Sequence, residues 1–126
     1  MSRIKNSWLG FIVVAALSGC YYDKKEILYP ADNSCDTSGI TFSQTVHPIL
    51  DQKCASCHGA GVYQSLGGNY NLDGYSNVSG YASPNGVIIK SIKSDPSVRP
   101  MPPSGKLTDC EISQIQKWVN AGAANN

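Results

Sequence analysis

The stretch Cys54-Ala55-Ser56-Cys57-His58 constrains this chain more than any other, because each chemistry open to two thiols and an adjacent imidazole requires a different fold around them. A redox-active dithiol of this spacing follows a strand and opens a helix within an alternating α/β pattern. Here Phe42, Val46, Ile49, Leu50 and Lys53 recur at helical spacing, so the motif closes a helix. A structural zinc site takes four ligands. Adjacent Cys57 and His58 are poorly placed to share one tetrahedral ion, and no second Cys-x-x-Cys or His-x-x-x-His pair is present in the sequence. Covalent haem gives every residue of the motif a role. Two thiols three positions apart add to the vinyl groups as thioethers, and the histidine after the second thiol becomes the proximal iron ligand. The dithiol and zinc readings stand beside it as competitors.

Residues 1–19 have the composition of an export signal. Arg3 and Lys5 precede an apolar run from Trp8 to Ala16, which is shorter than the roughly 20 residues a membrane span needs. Leu17-Ser18-Gly19 before Cys20 resembles the lipobox of bacterial lipoproteins, which implies lipidation of Cys20 and its exposure as the new N-terminus. A plain cleaved signal with a free Cys20 is the alternative. Several acyl chains, at about 0.8 kcal/mol per buried methylene, hold a protein stably on a membrane. Tyr21, in place of the aspartate that marks inner-membrane retention in many such proteins, favours the outer membrane over the inner, with the domain facing the periplasm. The charged run Asp23-Lys24-Lys25-Glu26 reads as a solvated tether.

The chain of 126 residues has ten basic and nine acidic side chains, and loss of Arg3 and Lys5 with the signal leaves eight against nine. That balance provides no polybasic face for nucleic acid. Residues 20–39 are polar and rich in turn formers and read as a linker, of which the fifteen residues from Cys20 to Cys35 reach about 50 Å when extended. Residues 40–126 form one domain. Its first helix is expected to start near Ser43 to Thr45, with Pro48 in or beside the first turn, where backbone N–H groups lack partners anyway. Short helices are expected around Asp73 to Val78 and from about Pro84 to Lys93, with Val87, Ile88 and Ile92 inward. Thr108-Asp109-Cys110-Glu111 is a capping box, with Leu107 and Ile112 at the staple positions, so a final helix is expected from Asp109 to about Ala121. Ile112, Ile115 and Val119 form its apolar stripe, flanked by Trp118. The class is all-α with long irregular loops, and a chain this small and this rich in glycine and proline needs a cofactor or a disulfide to hold its core.

Met101 is the one methionine left after the signal is removed, and it stands in Arg99-Pro100-Met101-Pro102-Pro103, a rigid prolyl loop ill suited to a flexible core filler. It is the candidate sixth ligand, the alternative being a methionine that only packs. His47 lies about 10 Å before Cys54 along the helix, on the segment leading to the proximal side, and reads as a surface histidine. Arg99 is a candidate partner for the propionates, and Tyr70, Tyr75, Tyr81 and Trp118 are candidates either for the pocket or for the core.

The run from Phe42 to Gly59, the loop R-P-M-P-P and the closing LTDCEISQIQKWVNAGA together resemble the class I c-type cytochrome domain in its small bacterial forms, over roughly residues 40–123. The resemblance implies a cytochrome c-like fold with N- and C-terminal helices crossing near one covalent haem c. It also implies attachment through Cys54 and Cys57, with His58 proximal and Met101 distal. It does not extend to the glycine- and tyrosine-rich middle, GAGVYQSLGGNYNLDGYSNVSGY, and so implies nothing about the pocket walls.

Cys35 and Cys110 remain once haem and lipid account for the other three cysteines, and exported proteins tend to pair such leftovers. Cys110 lies about 160° around the helix from Ile112, away from the core stripe, so a bridge to Cys35 straps the linker across the outside of the last helix. Two free thiols is the alternative. An iron with six ligands has no vacant position, which points to outer-sphere electron transfer with transient redox partners rather than to an enzyme. Three other readings remain: a haem-based sensor, a peroxidase-like enzyme with a displaceable distal ligand, and an electron-port subunit of a larger respiratory complex.

Overall fold

The computed structural model describes residues 35–126. The signal, Cys20 and the linker as far as residue 34 lie outside the described residues. The described chain is all-helical, with a π-helical turn over Phe42–Val46 followed by α1 (His47–His58), α2 (Tyr75–Ser79), α3 (Val87–Ile92) and α4 (Asp109–Asn120), and no strand among these residues.

Regular α geometry begins at His47 rather than near Ser43 to Thr45, and Pro48 supplies the reason. It lacks an N–H, and in an α-helix its ring would crowd the carbonyl four residues earlier. The preceding turn is wider: the N–H groups of Val46 and His47 donate five residues back, to the carbonyls of Thr41 and Phe42. The Thr41 hydroxyl accepts from the Gln44 N–H at 3.2 Å and caps the turn. Pro48 therefore falls in the first turn of α1, as its missing donor requires.

Both middle helices are shorter than the sequence suggests. Gly74 takes φ +74°, a conformation that side chains rarely adopt, and α2 starts only after it instead of at Asp73. Residues 83–86 close a turn, with the Gly86 N–H donating to the Ser83 carbonyl at 2.8 Å, so α3 begins at Val87 instead of Pro84. Ile88 and Ile92 are buried as expected. Val87 is half-buried, and Ile89 occupies the core in its place.

α4 has the expected start and length. Thr108 donates to Glu111 Oε2 from its N–H at 2.7 Å and from its hydroxyl at 3.1 Å, and the Glu111 N–H donates back to Thr108 Oγ1 at 3.2 Å. Burial pushes the Glu111 carboxyl up, but the Thr108 hydrogen bonds and the nearby Lys53 ammonium outweigh it and hold the group below its ordinary value of 4.5. A carboxyl depressed by folding stabilises the fold above its unfolded pKa and loses that contribution as pH falls through the folded value. Thr108→Ala is expected to cost about 1 kcal/mol in denaturant unfolding near neutral pH. The cost should shrink below pH 4.5, as Glu111 protonates.

The core gathers around Phe42, whose ring lies 5.3 Å from Tyr75, 5.5 Å from Trp118 and 5.6 Å from His47. Val46 and Leu50 continue it from the first helical segment, Ile115, Trp118 and Val119 from α4, and Val78 and Leu107 from between. Trp118 Nε1–H donates to the Ala124 carbonyl at 2.9 Å and the Tyr75 hydroxyl to the Ala123 carbonyl at 3.0 Å. His47 is thus half-buried against Phe42 rather than free on the surface. Ile112, expected in the stripe, is half-buried, while Trp118 is fully inside.

Cys35 and Cys110 sit at disulfide distance, Sγ to Sγ 2.18 Å with Cα atoms 5.3 Å apart. The segment just after Cys35 is tied to α4, where Gln114 Nε2 donates to the Asp36 carbonyl at 3.0 Å; the linker before it lies outside the described residues. No helix among the described residues is long and apolar enough to cross a membrane.

Candidate cofactor site

A cleft of about 440 Å³ opens between the C-terminal half of α1, the loop after it, α3 and the prolyl loop. That volume lies within the roughly 300–1,000 Å³ of sites for small molecules and cofactors. Its walls are largely apolar, with Leu50 from α1, Leu66 and Leu72 from the loop, Ile88 and Ile92 from α3, and Val98. Cys54, Cys57, His58 and Met101 all line it, and so does Arg99. The α1 backbone places Cys54 and Cys57 one turn apart and His58 at the last helical position.

His58 Nδ1 lies 2.9 Å from the Tyr70 carbonyl oxygen. A carbonyl only accepts, so Nδ1 carries the proton and Nε2 keeps its lone pair for a metal, the tautomer expected of a ligating imidazole. The loop that provides this carbonyl is fastened by the Leu72 N–H donating to the His58 carbonyl at 2.8 Å and the Gly67 N–H to the Tyr63 carbonyl at 2.9 Å. Gly67 is buried, and a Cβ there would meet the Cys57 carbonyl oxygen at 2.5 Å and His58 Nδ1 at 2.9 Å. Gly67→Ala is expected to destabilise by about 1–3 kcal/mol as the loop is pushed off the motif. It should also weaken the His58–Tyr70 hydrogen bond, visible as an upfield move of the imidazole N–H proton resonance.

Burial pushes the Cys54 thiol up to about 11, with the nearby Cys57 and Glu111 adding to the effect. Redox-active dithiols show the opposite, a thiolate favoured by a helix N-terminus or a neighbouring cation. Cys54 sits in the last half of a helix in apolar surroundings and stays a neutral thiol at pH 7, unlike the activated thiolate of a cycling dithiol. Among the described residues no group of three or more His, Cys, Asp or Glu side chains is arranged to hold a metal ion, so a structural zinc site has no ligand set here.

The remaining candidates divide by position. His47, Tyr75 and Trp118 belong to the Phe42 cluster and do not line the cleft. Tyr70 lines it with its ring 5.2 Å from Tyr81, whereas Tyr81 itself does not. Cys35 and Cys110 lie outside it. Sequence reasoning did not find Gly67, Ser91 or the wall residues Leu66 and Leu72. Only Gly67 left a trace, as the first of two adjacent glycines.

Comparison with family models, with curated proteins and with solved structures gives no match for this chain, so the assignment of the cleft rests on its own residues.

The residues present suit a covalently held haem. The cleft brings together two thiols one turn apart, an imidazole with Nε2 free, a thioether, apolar walls and one guanidinium.

Proposed function

We propose that residues 40–126 are a class I c-type cytochrome domain that carries one haem c and transfers single electrons, on a chain exported and anchored to a membrane through a lipid on Cys20. The observation that carries this reading is that Met101, distant in sequence, lines the same apolar cleft as Cys54, Cys57 and His58. When bound, the haem supplies an iron that shuttles one electron between Fe(II) and Fe(III).

The chain's own residues would do the rest. Cys54 and Cys57 would anchor the group as thioethers. His58, oriented by the Tyr70 carbonyl, would ligate through Nε2 on the proximal side. Met101 would be the second ligand from the chain, on a loop fixed by its N–H donating to the Ser91 carbonyl at 3.0 Å. Helix α4, packed on the π turn through Trp118 and Phe42 and joined to α1 through the Lys53–Glu111 ion pair at 3.4 Å, would be the C-terminal helix that crosses the N-terminal one in this fold. With His58 and Met101 both committed to the group, the domain would act as a carrier rather than an enzyme, serving transient redox partners as a monomer or as a subunit of a respiratory complex.

Met101→Leu tests the reading. A thioether is a soft neutral donor that favours Fe(II), so its loss is expected to lower the midpoint potential by a measurable part of the roughly 0.8 V that axial ligation spans. The weak near-red absorption of the ferric protein should vanish with it. An unchanged spectrum and potential in Met101→Leu would remove Met101 from the iron and overturn the carrier reading.

A further inference from the structure

Ser91 is the one buried polar residue among the described residues, 8 % exposed, and it lines the cleft from α3. Its carbonyl is committed to the Met101 N–H. Its hydroxyl makes no hydrogen bond among the described residues, although a serine in a helix can donate to the carbonyl four residues back, as Ser113 does to Asp109 at 2.7 Å. No side-chain polar atom fully shut off from solvent lacks a partner here, so what exposure Ser91 keeps includes its hydroxyl. An occupant that fills the cleft takes that contact with water away. A hydroxyl left unpartnered after that carries the full cost of its lost hydration, so the occupant is expected to bring a partner with it.

The charges around the cleft indicate what that partner is. Lys53 is paired with Glu111, while Arg99, exposed beside Met101, has no ion pair among the described residues. No carboxylate among the described residues lines the cleft; its titratable groups are Lys53, Cys54, Cys57, His58, Tyr70 and Arg99. Arg99, two residues before Met101, and Ser91, whose carbonyl accepts from the Met101 N–H, both line the cleft, and a guanidinium and a hydroxyl, both donors, match one carboxylate.

We infer that Ser91 is a positioning residue whose hydroxyl, together with Arg99, receives a carboxylate of the group seated in the cleft. This rests on the haem reading, in which the carboxylate is a propionate, and it gives Ser91 two tasks: its carbonyl fixes the Met101 loop and its hydroxyl fixes the group that Met101 faces.

The test uses the full-length, haem-loaded protein, with loading verified by intact mass before any other measurement. A wild-type chain without covalent haem would defeat the haem reading itself, and is distinguished at this first step from a failure of the Ser91 assignment. In the loaded protein, Ser91→Ala is expected to lower the thermal midpoint, and Ser91→Thr, which keeps the hydroxyl, to restore most of the loss. The pH range over which the midpoint potential varies should move upward in Ser91→Ala and in Arg99→Gln, because the first removes a donor and the second a positive charge, each of which favours the ionised carboxylate. The double variant should move it by less than the sum of the two. A Ser91→Ala protein as stable as wild type or more so, with its pH–potential curve unmoved, overturns the inference: the hydroxyl then has no partner in the loaded state. Strict additivity of the two shifts overturns the shared carboxylate.

Discussion

Replacing Cys35 and Cys110 together with serine is expected to cost the domain about 4 kcal/mol of unfolding free energy. The two sulfurs lie 75 residues apart in sequence at bonding distance, and closing a loop of that length removes about that much chain entropy from the unfolded state. Small domains have roughly 5–15 kcal/mol in total, so the loss takes a large share. The bridge also holds the segment just after Cys35 in place. Without it the Gln114 hydrogen bond to the Asp36 carbonyl is left to keep that segment on α4 alone. Denaturant unfolding of the two single variants and the double should give three equal losses, since either serine breaks the same link. A double variant as stable as wild type would show that the thiols are unpaired in the native protein.

The second large effect concerns attachment, and its expected outcome is close to all or none. Cys54→Ala with Cys57→Ala should leave no haem on the chain after denaturation, whereas each single variant keeps one thioether. With neither thioether the group would be held only by His58, Met101 and the apolar walls, and its loss on dilution or denaturation should become reversible. Haem staining of the denatured chain, followed by absorbance of the native protein in dilution series, separates the two contributions. Cys54 should contribute in the way its surroundings indicate, as a neutral thiol raised to about 11 by burial, so thiol-reactive reagents should label it slowly in any unattached chain at neutral pH.

Much of this is legible in the sequence wherever local chemistry decides the structure. The Thr108–Glu111 box fixes the start of α4 because both partners lie within one turn and need nothing else. Pro48 announces an irregular entry to α1, but not its form, since the choice between a delayed start and a π turn depends on Phe42 being drawn into the core against Trp118. The expected starts of α2 and α3 fall too early because Gly74 and Gly86 act through backbone angle and close approach, which composition does not reveal. The motif residues and Met101 stand out because their chemistry is unusual for their place in the chain. Ser91 and Gly67 escape notice for the opposite reason. A serine in a short apolar helix and a glycine among many carry no signal until the fold puts one beside the Met101 loop and the other against His58.

On the proposed reading, the two thiols and the imidazole of residues 54–58 hold one haem, with Met101 as its further ligand from the chain. The most direct measurement is the intact mass of the protein purified from a host that matures c-type cytochromes, taken together with its ferric absorption spectrum. The expected result is a gain of one haem that survives denaturation and disappears in the Cys54→Ala, Cys57→Ala double variant, with a near-red band that is lost in Met101→Leu. A chain of unmodified mass whose Cys54 and Cys57 remain free thiols, or bind zinc in its place, would contradict it.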